Sequence, residues 1–459
     1  GDNQAFQRSH SLFSDEYAQY FATTEPNFDS GNFVEIQGWT NRYFNDVYSR
    51  ASPQLHFVEQ FTEDAAMPVA NAFAKIWRVE MYHRISDFFG PIIYSEFGNA
   101  QTQVNYDSQE EVYHDFFQTL DEAVEVLKQH PGGNAFGTND LVFQGNADKW
   151  LKFANSLRLR LAMRIVYVEP ELARAEAEKA VADGVMTENA DNANVLTTVN
   201  SLNFYAAITY IDEFRMSATM QSVMTGYNDP RIHEYFEEAE VGGGYKGVRN
   251  GLPRLEKGAF LEPLHSFIDT KWRPLASGGT NPPNKVMAAS EIYFLRAEGA
   301  LRGWNMEGTA EELYQEGIRT SIEERTNATA EQIEAYINST NTPVALNDKW
   351  NTPAMSDIPV LYQANSDFET QLEQIITQKW IALFPDSWEA WSERRRTGYP
   401  LGFPIIESFN PDIPEDGMMR RLKFTTGEIT NNSVAVEAAR KLLNGPDENY
   451  TRLWWDAKP

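Results

Sequence analysis

Seven histidines, His10, His56, His83, His114, His130, His233 and His265, are the side chains best suited to metal or acid–base chemistry. None stands in a His-x-x-x-His or His-Glu-x-x-His spacing, the arrangement that turns two imidazoles to one helix face for zinc. They read as structural or solvated residues, and no metal site is expected. The run Glu188-Asn189-Ala190-Asp191-Asn192-Ala193-Asn194 offers oxygen donors for a hard cation but lacks the glycine and closing glutamate of a calcium loop. An Asx-rich turn accounts for it better. Gly242-Gly243-Gly244-Tyr245-Lys246-Gly247 matches neither G-x-G-x-x-G nor G-x-x-x-x-G-K-[ST] and follows no clear strand, so it reads as a turn. No G-x-S-x-G elbow or S-x-x-K motif is present. The chain has no cysteine, hence no thiolate nucleophile and no disulfide. Its 66 acidic residues guarantee carboxylate pairs somewhere, yet glycoside hydrolysis needs two that face each other across a cleft, and spacing singles out none. Asn327, Asn338, Asn431 and Asn449 head N-x-[ST] sequons, which matter only in a eukaryotic secretory protein.

The same acids set the charge. Lys+Arg 39 against Asp+Glu 66 leaves −27 at pH 7, which repels phosphate backbones and anionic lipid. Nucleic acid is therefore not an expected partner. No apolar run approaches the roughly 20 residues of a membrane span. No signal peptide is visible, and the start Gly1-Asp2-Asn3-Gln4 is compatible with a targeting segment already removed. Aromatic residues make up 13% of the chain; most must lie in the core, leaving the remainder as stacking surface for flat ligands.

Positioning falls to helices. Residues 1–30 are polar and aperiodic, with isolated aromatics, and are expected to form an extended arm. A helical rhythm runs from Phe33 to Tyr48. A longer one runs from Phe61 to Phe89, where Ala66, Val69, Ala70, Phe73, Ile76, Trp77 and Met81 recur three and four apart, until Gly90-Pro91. Asp107 or Ser108 caps a partner helix with the stripe Val112, Phe116, Leu120, Val124 and Leu127, ended by His130-Pro131-Gly132-Gly133. In a second pair Trp150, Ala154, Leu157, Leu161 and Ile165 share a face, while Lys152, Arg158, Arg160 and Arg164 point mostly elsewhere. Glu169-Pro170 separates it from a helix over Glu171–Ala182. A third pair covers Glu291–Arg302 and Ala310–Glu324, with a capping box from Thr309 and Glu312 and small Ala297, Gly299 and Ala300 for close approach. The fourth carries the stripe Leu372, Ile376, Trp380 and Leu383, a stop at Pro385, and Asp386 with Glu389 capping a last helix that ends at Gly398-Tyr399-Pro400.

The expected fold is all-α. A single domain over 1–459 would hold four tetratricopeptide-like helix pairs at about 61–130, 146–183, 290–325 and 370–397, without a strict 34-residue period. Loop-rich insertions at about 184–288, 325–368 and 402–459 make an irregular side. Connections that long are usually functional or contain short elements of their own.

One stretch is more specific than the rest: Gln374-Ile375-Ile376-Thr377-Gln378-Lys379-Trp380-Ile381-Ala382-Leu383-Phe384, running on to Glu389-Ala390-Trp391-Ser392-Glu393-Arg394-Arg395-Arg396-Thr397-Gly398-Tyr399-Pro400. Two further pieces accompany it, Trp77-Arg78 through Asp87-Phe88-Phe89-Gly90-Pro91-Ile92, and Gly145 to Arg164 with Lys149-Trp150 and Ala154-Asn155-Ser156-Leu157-Arg158. With these the chain resembles the RagB/SusD family of bacterial surface lipoproteins, in particular the SusD-like group found beside TonB-dependent transporters. Asp229-Pro230-Arg231, the Glu291–Gly303 helix and Arg420-Arg421-Leu422 with Asn431-Asn432 agree in order. The adjacent Gly90 and Pro91 depart slightly from the family's Phe/Tyr-Gly-Asp-x-Pro turn.

The resemblance implies a non-catalytic binding protein without cofactor, exposed on the outer membrane and held by lipid on an N-terminal cysteine that this chain lacks. It would capture glycans, or oligopeptides, and deliver them to a SusC-like TonB-dependent transporter. Arg394, Arg395 and Arg396 end a helix one turn from Glu389 and Glu393, so they are expected to form a packing network, and Trp380, Trp388 and Trp391 to be core. Ligand contacts are expected from loops on the irregular side: Phe97, Asn99 and Gln101 after Ile93, and Tyr245 and Trp272 in the long insertion. Two other readings compete, a secreted glycoside hydrolase and a tetratricopeptide-type protein scaffold without small ligand.

Overall fold

Helix ends written in the sequence are where the pairs begin and stop. The structure, a computed structural model, describes residues 6–414 and 417–459; residues 1–5, including Gly1, and 415–416 lie outside that description. Eight helices form four consecutive pairs, α1 (Pro68–Phe89) with α2 (Gln109–Lys128), α3 (Ala147–Arg164) with α4 (Pro170–Ala182), α5 (Ala289–Leu301) with α6 (Ala310–Arg325), and α7 (Phe368–Leu383) with α8 (Ser387–Thr397). The fold is mainly helical and tetratricopeptide-like. Its few strands are short: Phe21–Thr23 pairs antiparallel with Phe214–Met216, and Ala193–Val195 with Asn284–Met287. The chain groups into two units, one of Glu35–Met186 with Gly417–Pro459, the other of Gly1–Val34 with Thr187–Asp416.

In the first unit, Ser108 rather than Asp107 caps α2. Its Oγ accepts from the Glu111 amide at 3.2 Å, and the Glu111 carboxylate accepts from the Ser108 amide at 2.9 Å. This satisfies two otherwise unpaired helix-end donors. Val112, Phe116, Leu120, Val124 and Leu127 are buried as the stripe requires. The rhythm from Phe61 to Phe89 is not one helix. Ser52–Asp64 and α1 are separated by a turn in which Ala66 takes φ 50°, and Ala66 is exposed. Pro68 starts α1, where a missing amide costs nothing.

A second correction concerns α3. Arg158, Arg160 and Arg164 do not leave the core; all three are buried. Arg164 meets Asp87 at 3.2 Å and Arg160 meets Glu80 at 3.7 Å, across to α1. Arg158 pairs with Asp121 and, at 3.2 Å, with Glu176. Asp87 also accepts from Tyr113 Oη at 2.6 Å and from Trp455 Nε1 at 2.8 Å. Hydrophobic periodicity does not report such a layer, because its charges are matched by partners far away in sequence.

In the second unit the expected capping box starts α6: the Glu312 amide donates to Thr309 Oγ1 at 3.2 Å and the Thr309 amide to the Glu312 carboxylate at 3.0 Å. Gly317 of α6 lies against the Phe294 ring of α5, where a Cβ would come within 2.9 Å. The α8 arginines form a packing network. Arg396 meets Glu298 at 2.5 Å and Glu393 at 2.7 Å, Arg395 stacks over Trp391 at 3.8 Å, and Lys379 reaches Glu393 at 3.1 Å.

The N-terminal stretch is not an extended arm. Gln7–Ser14 winds as a π-type helix and Asp15–Tyr17 as a short α-helical turn, with Leu12, Phe13, Tyr17 and Tyr20 buried. Tyr20 Oη donates to the Trp380 carbonyl at 2.6 Å, and Trp380 Nε1 donates to the Ala18 carbonyl at 2.9 Å. Isolated aromatics anchor the segment, and its polar residues are buried with them: Ser14 pairs with Ser387 at 2.8 Å and Glu16 accepts from Ser30 at 2.5 Å. With polar and apolar side chains both inside, no period marks the sequence. The insertions do carry short elements, among them helices Ala218–Tyr227, Ala330–Ile337 and Ser433–Ala439.

Candidate functional site

Among the described residues, three clefts lie where loops meet helices, one in the first unit and two in the second. In the first unit the loop after Ile93 is pinned from below. Ile92 and Asp107 exchange backbone hydrogen bonds at 3.2 and 2.9 Å, and the Asp107 carboxylate accepts from the Ser95 amide at 2.8 Å. Arg78 donates to Tyr94 Oη at 2.7 Å, and Tyr94 Oη donates to Asp115 at 2.5 Å. Burial, the first cause, works against the Arg78 cation, but Tyr94 and Glu59 beside it outweigh that and raise its pKa. Phe97 is half-buried over His56, ring centroids 5.9 Å apart, and closes a cleft of about 280 Å³ with Glu59, Arg78 and Tyr82. Asn99 and Gln101 are exposed but shape the loop itself: Asn99 accepts from the Gln101 amide at 2.9 Å and donates to Glu96 at 3.2 Å.

In the second unit, Tyr245 is half-buried at the rim of a cleft of about 760 Å³. Gly242, Gly243 and Gly244 before it all have positive φ (83, 59 and 71°), which only glycine tolerates in succession. Asp229 and Pro230 line the cleft, with Arg231 buried behind them. Arg231 grips Asp229 with two nitrogens at 2.9 and 2.6 Å, and Tyr336 Oη donates to the same carboxylate at 2.5 Å. Asn327, Gln332 and Asn341 supply amides around it. Trp272 does not join Tyr245. It is 2% exposed, in an aromatic core with Tyr205 at 5.8 Å and Phe384 at 6.1 Å. The expectation that Trp272 contacts ligand is thus corrected: a ring sealed among other rings has no face left for one.

The third cleft, about 630 Å³, was not anticipated from sequence. Its outstanding residue is Trp350, 36% exposed. The preceding turn is fixed by Asp348, whose carboxylate accepts from the Trp350 amide at 3.0 Å and from Arg249 at 3.3 Å. Arg249 also donates to Thr352 Oγ1 at 2.8 Å and to the Pro404 carbonyl at 3.1 Å. Its guanidinium sits 5.4 Å from the Trp350 ring and 4.8 Å from Phe403, and Lys349 Nζ lies 4.5 Å from the indole. These cation–π contacts hold the ring without burying it. Phe260, 59% exposed, and His265 line the cleft with Asn347. His265 Nδ1 donates to the Leu261 carbonyl at 2.7 Å, and burial lowers its pKa. The neutral ring leaves Nε2 as an acceptor. A half-exposed aromatic platform ringed by an amide, an imidazole and charged groups suits reversible capture of a polar ligand with one apolar face. The sequence signal is Asn347-Asp348-Lys349-Trp350-Asn351, a lone tryptophan in a polar run with no helical stripe to receive it.

Four of the acids in these clefts are held in ion pairs: Asp348 with Arg249, Glu256 with Lys349, Asp229 with Arg231, and Glu59 with Arg78. Among the described residues no helix is long and apolar enough to cross a membrane.

A family model described as "SusD-like: Susd and RagB outer membrane lipoprotein" matches residues 1–456. No curated protein matches the chain. Among solved structures, a chitin-binding SusD homologue from Flavobacterium johnsoniae is similar, with TM-score 0.93 and 37% identity over 100% of this chain and 95% of that one. A SusD homologue from Bacteroides thetaiotaomicron has TM-score 0.89 and 34% identity, covering 100% and 96%. One from Bacteroides vulgatus has TM-score 0.92 and 33% identity, covering 99% and 93%.

Proposed function

The chain belongs to the SusD-like family of outer-membrane lipoproteins, and from that premise we propose that it captures oligosaccharides at the cell surface without cleaving them. In this reading it is anchored by lipid to the outer membrane and passes its ligand to a SusC-like TonB-dependent transporter. The observation that carries the ligand class is Trp350, a partly exposed indole fixed by Arg249, Asp348 and Lys349 in an open cleft. An indole face stacks on the apolar face of a pyranose, while Asn347 and neutral His265 exchange hydrogen bonds with hydroxyl or acetamido groups. The ion pairing of Asp348 and Glu256 supports binding over hydrolysis, because a glycosidase needs one free carboxylate and one kept protonated. Chito-oligosaccharides are the first ligands to try, since a relative of 37% identity is chitin-binding.

The test is calorimetry of the purified protein against a panel of neutral and N-acetylated oligosaccharides, with product analysis alongside. Binding without new reducing ends is expected, and Trp350→Ala should weaken it by about 1–3 kcal/mol, roughly five- to 150-fold. A blank panel, or turnover of any member, defeats the reading.

A further inference from the structure

Histidine spacing hides a donor set that the fold of the first unit assembles from two elements. Glu110 and His114 sit four residues apart on α2, so both project from one helix face. Glu169 arrives from the turn between α3 and α4, next to Pro170 at the start of α4, with its amide donating to the Ile165 carbonyl at 2.9 Å. Donor atoms of the three residues lie within 4.8 Å of one another. His114 Nε2 is already 2.9 and 3.1 Å from the two Glu169 oxygens. The Trp454 ring lies perpendicular to the imidazole, centroids 6.4 Å apart.

We propose that Glu110, His114 and Glu169 form a binding site for a late first-row divalent cation, zinc being the reference ion. The chemistry of the set favours this class. One imidazole nitrogen selects against magnesium and calcium, which take oxygen alone, and two carboxylates supply the charge that a dication needs. An ion about 2.0–2.1 Å from each donor holds those donors roughly 3.3 Å apart, so the observed cluster requires movement only of side-chain ends. His114 and Glu169 side chains are 46% and 25% exposed, which gives the ion a path and leaves a coordination position for water. The net charge of −27 raises the local concentration of any dication. The bound ion would clip the first helix pair to the second through α2 and the α3–α4 turn. Metal-ligand spacing rules built on two histidines pass over the site, because its helical pair is Glu-x-x-x-His and its third ligand lies 55 residues further on.

The experiment uses the full chain, stripped with chelator and titrated calorimetrically with ZnCl2 at pH 7.5, with CaCl2 and MgCl2 as controls. One saturable zinc site is expected, about tenfold or more weaker in His114→Ala and in Glu169→Gln. Zinc should raise the melting temperature of the wild type and not of His114→Ala, a shift that a plain histidine–glutamate ion pair does not produce. His114 is exposed and Glu169→Gln keeps the shape of a half-buried side chain, so the variants fold. Absence of saturable zinc binding, or unchanged affinity in His114→Ala, overturns the proposal.

Discussion

Trp350 and Trp272 are both single tryptophans in aperiodic stretches, and the fold sends one to a cleft and the other to the core. Neither fate follows from local sequence, since burial of Trp272 is decided by Tyr205 and Phe384, which lie 67 and 112 positions away. Phe97 and Tyr245 do reach cleft rims, whereas Asn99 and Gln101 spend hydrogen bonds on their own loop. Adjacent buried acids make a further prediction at this scale. Asp15 and Glu16 are each pushed up to about 7, first by loss of solvation. A carboxyl whose folded pKa exceeds its unfolded value binds protons more tightly when folded, so its contribution to stability falls as pH rises from about 4 to 7. Asp15→Asn removes one such group while keeping an oxygen to accept from Tyr205 at its present 2.9 Å. Relative to wild type the variant should gain stability between pH 5 and pH 8, by about 2–4 kcal/mol for a shift of this size. Urea melts at the two pH values check this; parallel behaviour of the two proteins refutes it.

At the scale of elements, legibility follows the kind of signal. The capping box at Thr309, a cap at Asp107 or Ser108 and the stripe of α2 are plain in the sequence because caps and periodicity act between near neighbours. The arginines of α3 and the segment Gln7–Tyr20 are not legible in the sequence because their partners are remote: Arg164 needs Asp87, and Tyr20 needs Trp380. Small residues give an intermediate case. Ala297, Gly299 and Ala300 suggest close approach in the third pair; Gly299 lies against Met306, and it is Gly317, unmarked by the sequence, where α6 touches the Phe294 ring of α5. Gly317→Val adds a side chain where even a Cβ meets ring atoms at 2.9 Å. Overpacking of this kind costs about 1–3 kcal/mol, which would lower the denaturation midpoint while leaving the slope unchanged. Half-buried Gly427, whose Cβ would meet nothing closer than 3.9 Å, is the matching control.

For the molecule as a whole, both units are discontinuous in sequence. The first takes Glu35–Met186 and closes with Gly417–Pro459; the second takes residues before Val34 and resumes at Thr187. Trp455 shows how much rests on the last residues. It donates to Asp87 at 2.8 Å, and the Arg164 guanidinium lies 5.2 Å over its ring. Trp455→Ala should destabilise the protein by about 3–5 kcal/mol, because it opens a cavity and removes a donor from a buried carboxylate. Calorimetric melting of the variant checks the value, and an unchanged melting temperature would contradict the role given to this ring. The consequence reaches into biogenesis. The segment closing the first unit is synthesised after the second unit is complete, and the second unit lacks most of its chain until the main body of the first has been passed. The first core cannot close on a nascent chain before residues 417–459 emerge, nor the second before 187–416, so over that span the polypeptide stays open, the form in which a chain can be threaded through an export channel.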